Sequence, residues 1–224
     1  MATTKDAAGL ARDLLERKET GAGPVPPRAL DHLGLAVLVG EDIEVAEALA
    51  ALARLRRAFV DWNEVRVARV QEIARALGAV AAAETVANAL KEEYNAFFEK
   101  KGALNYEFLA AGKPSETKRA LAQLLPRLSK GALAILLYEF CPGASLPLSD
   151  EGLRQARRDG AIGKTGDRNQ LTRALAEQMD LADAALLLQH WEIEATGSPY
   201  GEPLKKDAPK KGKKPAAKGK TAKK

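Results

Sequence analysis

A cluster of lysines near the end of the chain is its clearest chemical feature. Residues 205 to 224 hold ten lysines, one aspartate and no side chain large enough to build a core. Ammonium groups on a segment that cannot fold bind polyanions by releasing their counterions, so affinity falls with salt and ignores sequence. We predict a disordered tail over 198–224 that binds DNA through Lys205, Lys206, Lys210, Lys211, Lys213, Lys214, Lys218, Lys220, Lys223 and Lys224.

The rest of the chain carries the opposite charge. The formal net charge is +5, and ten lysines against one aspartate give the tail +9, which leaves −4 for residues 1–204. The body is therefore mildly acidic, and the whole-chain charge says little about its surface. If the body contacts nucleic acid, it does so through a local basic patch.

The segment from Leu124 to Ala132, with the sequence LLPRLSKGA, holds a second group of residues with possible chemistry. Its pattern predicts a short helix, a tight turn at Pro126 and an apolar helix, as in a helix-hairpin-helix. Such hairpins normally use two glycines, which let backbone N–H groups approach a DNA phosphate. Here Arg127 and Ser129 stand at those positions. Arg127, Ser129 and Lys130 are candidate phosphate ligands, and an ordinary capped turn is the alternative.

Replacing the glycines has a predicted cost. Arg127 adds a cation, but it also adds a Cβ, which obstructs the left-handed backbone that glycine adopts freely. We therefore expect this hairpin to bind DNA more weakly than one built with glycine.

A third group of cations follows the hairpin. Arg154, Arg157 and Arg158, with Lys164 and Arg168 close behind, place five positive charges within fifteen residues. They form either a patch that follows a nucleic-acid backbone or a solvated helix face.

Other site types are disfavoured. One cysteine, Cys141, excludes an intrachain disulfide, a four-cysteine iron–sulfur site and a zinc knuckle. His32 and His190 lie far apart, without metal ligands at suitable spacing, so we expect structural or surface roles for both. The segment 163–165, Gly-Lys-Thr, lacks the upstream glycine and strand of a phosphate loop. We predict no metal and no cofactor.

Nearly every segment has helical periodicity, and none alternates at period two for more than a few residues. The predicted class is all-α, a compact multi-helix bundle. Trp62 and Trp191 lie on apolar stripes, where we expect core packing and hold base stacking as the alternative. Helices are expected at about residues 5–19, 28–39, 43–59, 61–77, 83–100, 115–125, 130–140, 150–158, 169–178 and 181–195.

No uninterrupted stretch of about twenty apolar residues exists, so no membrane span is predicted. The segment 1–6 reaches acidic residues early and has no apolar core, unlike a secretory signal. We expect a soluble, cytoplasmic protein that does not bind membranes, and nucleoid association is compatible with the tail.

Around the hairpin the chain resembles the endonuclease III-like DNA glycosylase family. The similarity runs from about residue 28 to residue 191. An early apolar helix of the family resembles residues 33–39, its hairpin LPGVGxKTA resembles residues 125–133, its PVDTHVxRV segment resembles residues 147–154, and its "LHG" helix resembles residues 187–191.

This resemblance implies a two-lobed fold with a cleft between the lobes. One lobe would combine residues 1–20 with 146–197, and the other would span residues 28–140 and end in the hairpin. It also implies a connection with base-excision repair.

The chemically informative positions of the family differ in this chain. The catalytic lysine falls on Gly131 and the aspartate falls on Ser149, with Asp150 one residue late. The base-stack-filling glutamine falls near Asp42, and the four cluster cysteines are absent. Without an amine at position 131 no imine with an opened sugar can form there, so strand cleavage is not expected.

Three hypotheses follow from the sequence. The favoured one is a catalytically degenerate protein that binds DNA without sequence preference, helped by its tail. The second is an active monofunctional DNA glycosylase, without lyase activity, in which the Asp150 carboxylate orients water and stabilises an oxocarbenium ion. The third is a helical protein-interaction module whose body has lost contact with DNA.

Overall fold

The computed structural model describes Gly9, Leu10, Asp13 and residues 26–106, 113–141 and 144–201. These residues contain helices and no strands, so the predicted all-α class is confirmed for them. The helices are α1 (Asp31–Gly40), α2 (Val45–Ala58), α3 (Trp62–Val67), α4 (Val70–Leu77), α5 (Ala83–Lys101), α6 (Pro114–Leu124), α7 (Lys130–Phe140), α8 (Asp150–Arg158), α9 (Arg168–Gln178) and α10 (Leu181–Thr196).

Two predicted elements fall largely outside this part of the chain. Of the predicted first helix, only Gly9, Leu10 and Asp13 are described, and all three are helical. The lysines of the predicted tail, residues 205–224, lie outside the described residues. Within the described ranges, no helix is long and apolar enough to cross a membrane.

One predicted helix is divided in two. Asp61 accepts the N–H of Glu64 at 2.7 Å, which confirms the predicted helix start. The helix then ends at Val67, and a second begins at Val70. At the break, Lys91 donates to the Ala68 carbonyl, and Glu72 accepts the Arg69 N–H at 3.0 Å. These contacts satisfy the backbone groups that the interrupted helix leaves unpaired.

The helices pack in two groups around one continuous apolar core. Helices α1 to α5 contact one another, and α6 to α10 do the same, with α10 against α7, α8 and α9. The hairpin helix α7 therefore packs on α6 and α10, although the predicted lobe 28–140 joins it to the earlier helices. Trp191 is fully buried and donates to Asp159 at 3.0 Å, so its predicted core role is confirmed.

A buried carboxylate joins the first three helices. Asp31 is 6% exposed. Its Oδ2 accepts from the Arg56 guanidinium and from the Arg28 N–H at 2.8 Å, and its Oδ1 accepts from the Trp62 indole at 2.9 Å. The Trp62 ring is stacked on Tyr94, with 4.7 Å between ring centroids. One side chain of α1 therefore holds α2 through Arg56 and α3 through Trp62.

We predict that Asp31→Ala lowers the free energy of unfolding by about 3 to 5 kcal/mol, because it leaves the Arg56 charge poorly solvated and unneutralised by Asp31. Urea unfolding followed by circular dichroism measures the change. Asp150→Ala is the matched control, since that side chain is 78% exposed and its ion pair contributes at most about 1 kcal/mol. Equal losses in the two variants would contradict the role given to Asp31.

Candidate nucleic-acid interface

The hairpin segment has the predicted helix, turn and helix. The turn between α6 and α7 is closed by the Leu128 N–H, which donates to the Leu125 carbonyl at 3.1 Å. Ser129 is the N-cap of α7, and its hydroxyl accepts the Ala132 N–H at 3.1 Å. Ser129 therefore has a structural role that the phosphate-ligand hypothesis did not assign to it.

The expected strain in this turn is absent. Among the described residues, the non-glycine residues with positive φ are Ala29, Asp42 and Ala82, and Arg127 and Ser129 are not among them. The prediction that the Arg127 Cβ would obstruct a left-handed backbone is therefore wrong. Ser129 reaches α7 with an extended backbone, φ −64° and ψ 162°, in which a side chain is tolerated.

The two candidate cations of the hairpin differ in their surroundings. Arg127 Nε lies 3.1 Å from Glu93 Oε2 on α5, and the arginine side chain is 46% exposed. Part of its charge is thus neutralised by another helix. Lys130 is exposed in the first turn of α7, where backbone N–H groups have no acceptor within the helix. Lys130 is the better placed of the two for an anion.

The arginines of α8 have separate roles. Arg154 and Arg158 are exposed on one face, four residues apart. Arg154 pairs with Glu151 at 2.6 Å, and Arg158 donates to Gln155 at 3.0 Å. Arg157 instead donates to the Gly166 carbonyl at 2.8 Å and holds the loop after α8. Arg154 and Arg158 are therefore the accessible cations of α8, and Lys164 in the loop that follows is exposed as well.

Asp150, the candidate catalytic carboxylate, lies on the surface. It is the first residue of α8, with 78% of its side chain exposed, and its Oδ1 accepts from Arg168 at 2.8 Å. Ser149 is the N-cap, and its hydroxyl accepts the Gly152 N–H at 3.0 Å. This geometry gives Asp150 an ion pair in solvent and no enclosed surface on which to hold a base.

A carboxylate that the sequence hypotheses missed lies beneath the same helix start. Glu192 on α10 is 1% exposed and accepts both the N–H of Ser149 and its hydroxyl, the latter at 2.9 Å. A Cβ on Gly152 would lie 2.7 Å from Glu192 Oε1, so any other residue there would force the Glu192 side chain to move. The signal for this residue was a charge within the apolar stripe between Trp191 and Ile193.

Gly131, which matches the lysine position of the resembled family, is covered. A Cβ at this position would lie 2.7 Å from both the Cβ and the carbonyl oxygen of Tyr200. The Tyr200 hydroxyl in turn lies 2.9 Å from Nδ1 of His32, which is fully buried. The segment after α10 is thus anchored in the core and excludes a side chain from position 131.

Charge is unevenly distributed along the folded body. Residues 113–178 contain eleven Lys and Arg against seven Asp and Glu, a net charge of +4. Residues 28–106 contain ten Lys and Arg against twelve Asp and Glu, a net charge of −2. Residues 179–204 contain no Lys or Arg and five Asp and Glu, a net charge of −5. Helices α6 to α9, with the hairpin turn between α6 and α7, therefore form the basic part of an acidic body. Among the described residues, no group of three or more His, Cys, Asp or Glu is placed to hold a metal ion.

We predict that Gly131→Ala destabilises the protein by about 1 to 3 kcal/mol, because the added methyl overlaps the Tyr200 side chain and backbone. Chemical denaturation gives the value. Gly163→Ala is the matched control, since nothing lies within 4 Å of a Cβ there. If both variants are as stable as the wild type, Tyr200 does not close position 131.

A pH dependence follows from Glu192. Burial raises the pKa of this carboxyl above its ordinary 4.5, although the hydrogen bonds from Ser149 act against the shift. The native state then binds more protons than the unfolded chain, so the contribution of Glu192 to stability is largest at low pH and falls as pH rises through its folded-state pKa. We expect Glu192→Gln, relative to wild type, to gain stability as pH rises from about 4 to about 7.

Urea unfolding of both proteins across this pH range measures the effect. The quantity of interest is the difference between their free energies of unfolding, because other carboxyl groups titrate equally in both. A difference that stays constant, or that moves in favour of the wild type with rising pH, would contradict the assigned pKa shift.

Comparison with models of known protein families gives no match to this chain. No curated protein matches it either. The similarity to endonuclease III-like glycosylases therefore depends on the residues quoted above, and it is carried forward as a proposal.

Proposed function

We propose that this protein binds duplex DNA without strong sequence preference, on a catalytically degenerate helical fold of the endonuclease III type that is related to base-excision repair. One observation carries the proposal. Tyr200 packs against Gly131 at the start of α7, and Lys205 follows five residues later. Five residues of extended chain span at most about 17 Å, so Lys205 is tethered within that distance of Tyr200, which packs at the start of α7 beside the exposed Lys130.

The hairpin would contribute a phosphate contact. The N-terminus of α7 combines a favourable helix dipole with the ammonium of Lys130, while the Ser129 hydroxyl already accepts the Ala132 N–H of the first turn. Arg154 and Arg158 would add backbone contacts from α8, and contacts of this kind position a protein on DNA without reading its sequence. The tail would supply most of the affinity, because the body carries a net negative charge.

The geometry favours binding over catalysis. Position 131 has no amine and no room for one beside Tyr200. Asp150 is exposed and paired with Arg168, so its field is screened by water and by a neighbouring cation. A glycosylase that depends on Asp150 has less support from these contacts than a binding protein without strand-cleaving or base-releasing activity.

The test compares the full chain with a truncation after residue 204. Binding to a fluorescein-labelled duplex is followed by anisotropy at several salt concentrations between about 50 and 200 mM. We expect truncation to weaken binding at least about tenfold at the lowest salt and to make the slope of log K against log salt shallower by several units. A full-length variant with all ten tail lysines changed to glutamine controls for chain length.

The body is tested within the truncated protein. Lys130→Gln should reduce the remaining affinity, and Lys100→Gln on α5 is the matched control because that lysine is also exposed but lies far from the hairpin in sequence. An unchanged affinity and salt slope after truncation would refute the role of the tail. A truncated body without DNA affinity at low salt would refute the hairpin contact and favour the protein-interaction module instead.

A further inference from the structure

A cavity separate from the hairpin lies where α1 begins and α7 ends. Its volume is about 510 Å3, within the range typical of small-molecule sites. Its walls include Ala29, Phe59, Val60, Trp62 and Glu139. Glu139 is nine residues beyond Lys130 on α7, which corresponds to about 14 Å along the helix. A ligand here would therefore not share its contacts with DNA held at the hairpin.

The cavity contains one carboxylate that the protein only partly satisfies. The Glu139 side chain is 4% exposed. Its Oε2 accepts the Ala29 N–H at 3.1 Å and lies 3.7 Å from His32 Nε2, beyond hydrogen-bonding distance. Among the described residues, Ala29 is the only hydrogen-bond donor to this carboxylate. A buried carboxylate is stabilised by charged donors, and Glu139 receives one neutral N–H from the protein.

The other buried carboxylate of the cavity wall is already matched, whereas Asp61 is exposed to solvent and accepts the Glu64 N–H at 2.7 Å. Asp31 accepts from Arg56, Trp62 and the Arg28 backbone. Arg28 itself lies 3.5 Å from Asp183 on α10. Among the residues that the structure describes, Glu139 is therefore the buried carboxylate of this wall without an arginine partner.

The residue that donates to Glu139 has a strained backbone. Ala29 has φ of +47°, a left-handed conformation that is unfavourable for alanine. In this conformation its N–H points at Glu139 and its side chain lines the cavity. Strained residues of this kind are concentrated at ligand sites, where the surrounding structure maintains them.

The cavity wall also contains two aromatic residues, Phe59 and Trp62. Trp62 is held by its stacking on Tyr94 and its hydrogen bond to Asp31, so its ring is fixed before any ligand binds. Phe59 and Val60 add apolar side chains to the residues that line the cavity. A planar cation is attracted to aromatic faces and can donate two hydrogen bonds to a carboxylate.

We propose that this cavity binds a small organic cation of the amidinium or guanidinium class, with its N–H groups on Glu139 and its apolar body against Trp62 and Phe59. Charge and shape both select such a ligand. A neutral amide of the same shape lacks the charge-assisted bond, and a carboxylate of the same shape is repelled by Glu139. This site is independent of the proposed DNA binding.

The test uses the full chain and benzamidine, with benzamide as the neutral control and benzoate as the anionic one. The chain has two tryptophans, so nuclear magnetic resonance gives two indole N–H signals. Benzamidine should shift the Trp62 signal and leave that of Trp191 unchanged, because Trp191 is fully buried away from the cavity wall. The two control compounds should bind at least about tenfold more weakly.

Two pairs of variants locate the site. Glu139→Gln should weaken benzamidine about tenfold, and Glu192→Gln, which also changes a buried carboxylate, should leave it unchanged. Val60→Lys adds a cation at the cavity wall on a residue that is 94% exposed, so it should fold normally and weaken benzamidine about two- to fivefold. Val67→Lys is its control, since Val67 is also exposed and lies outside the cavity wall.

The outcomes are distinct. A Trp62 shift that is lost in Glu139→Gln and weakened in Val60→Lys supports the proposal. Benzamide binding as tightly as benzamidine, an unchanged affinity in both variants, or no Trp62 shift with the full chain would overturn it.

Discussion

Desolvated carboxylates constrain the arrangement of these helices more tightly than apolar contact does. Asp31, Glu139 and Glu192 are all buried, and each accepts hydrogen bonds from a different element. A buried carboxylate without donors would cost several kcal/mol, whereas an apolar side chain tolerates small shifts of its neighbours. Asp31 thereby fixes α1 against α2 and α3, Glu139 fixes α7 against the turn before α1, and Glu192 fixes α10 against the start of α8.

The helices were predictable because their apolar residues recur at helical spacing along nearly the whole chain. The break between α3 and α4 was not predictable from this spacing, because buried residues occur on both sides of it, Val65 before and Ile73 after. At the break the Lys91 ammonium donates to the Ala68 carbonyl, a contact between residues far apart in sequence that helical periodicity does not reveal. The buried carboxylates were missed for a similar reason, because one acidic residue in a sequence does not reveal which distant donors will form hydrogen bonds to it.

The hairpin shows the same division between local and distant information. The turn and the helix it precedes were located correctly, because proline, serine and the following apolar run are local signals. The backbone conformation of the turn was predicted wrongly. Glycine-containing hairpins use left-handed residues at these positions, and this turn does not. The ion pair of Arg127 with Glu93 also lay beyond reach, because it depends on how α5 packs beside the turn.

Glycine at position 131 has a physical explanation within this fold. Tyr200 occupies the space above it, and the buried His32 holds the tyrosine hydroxyl in place. In the endonuclease III comparison, a lysine at this position would have to displace Tyr200 and detach the segment after α10 from α7. That segment leads into the lysine-rich residues. The contact that closes position 131 also holds Tyr200 beside the start of α7, so the glycine at this position and the anchoring of the segment after α10 are structurally linked.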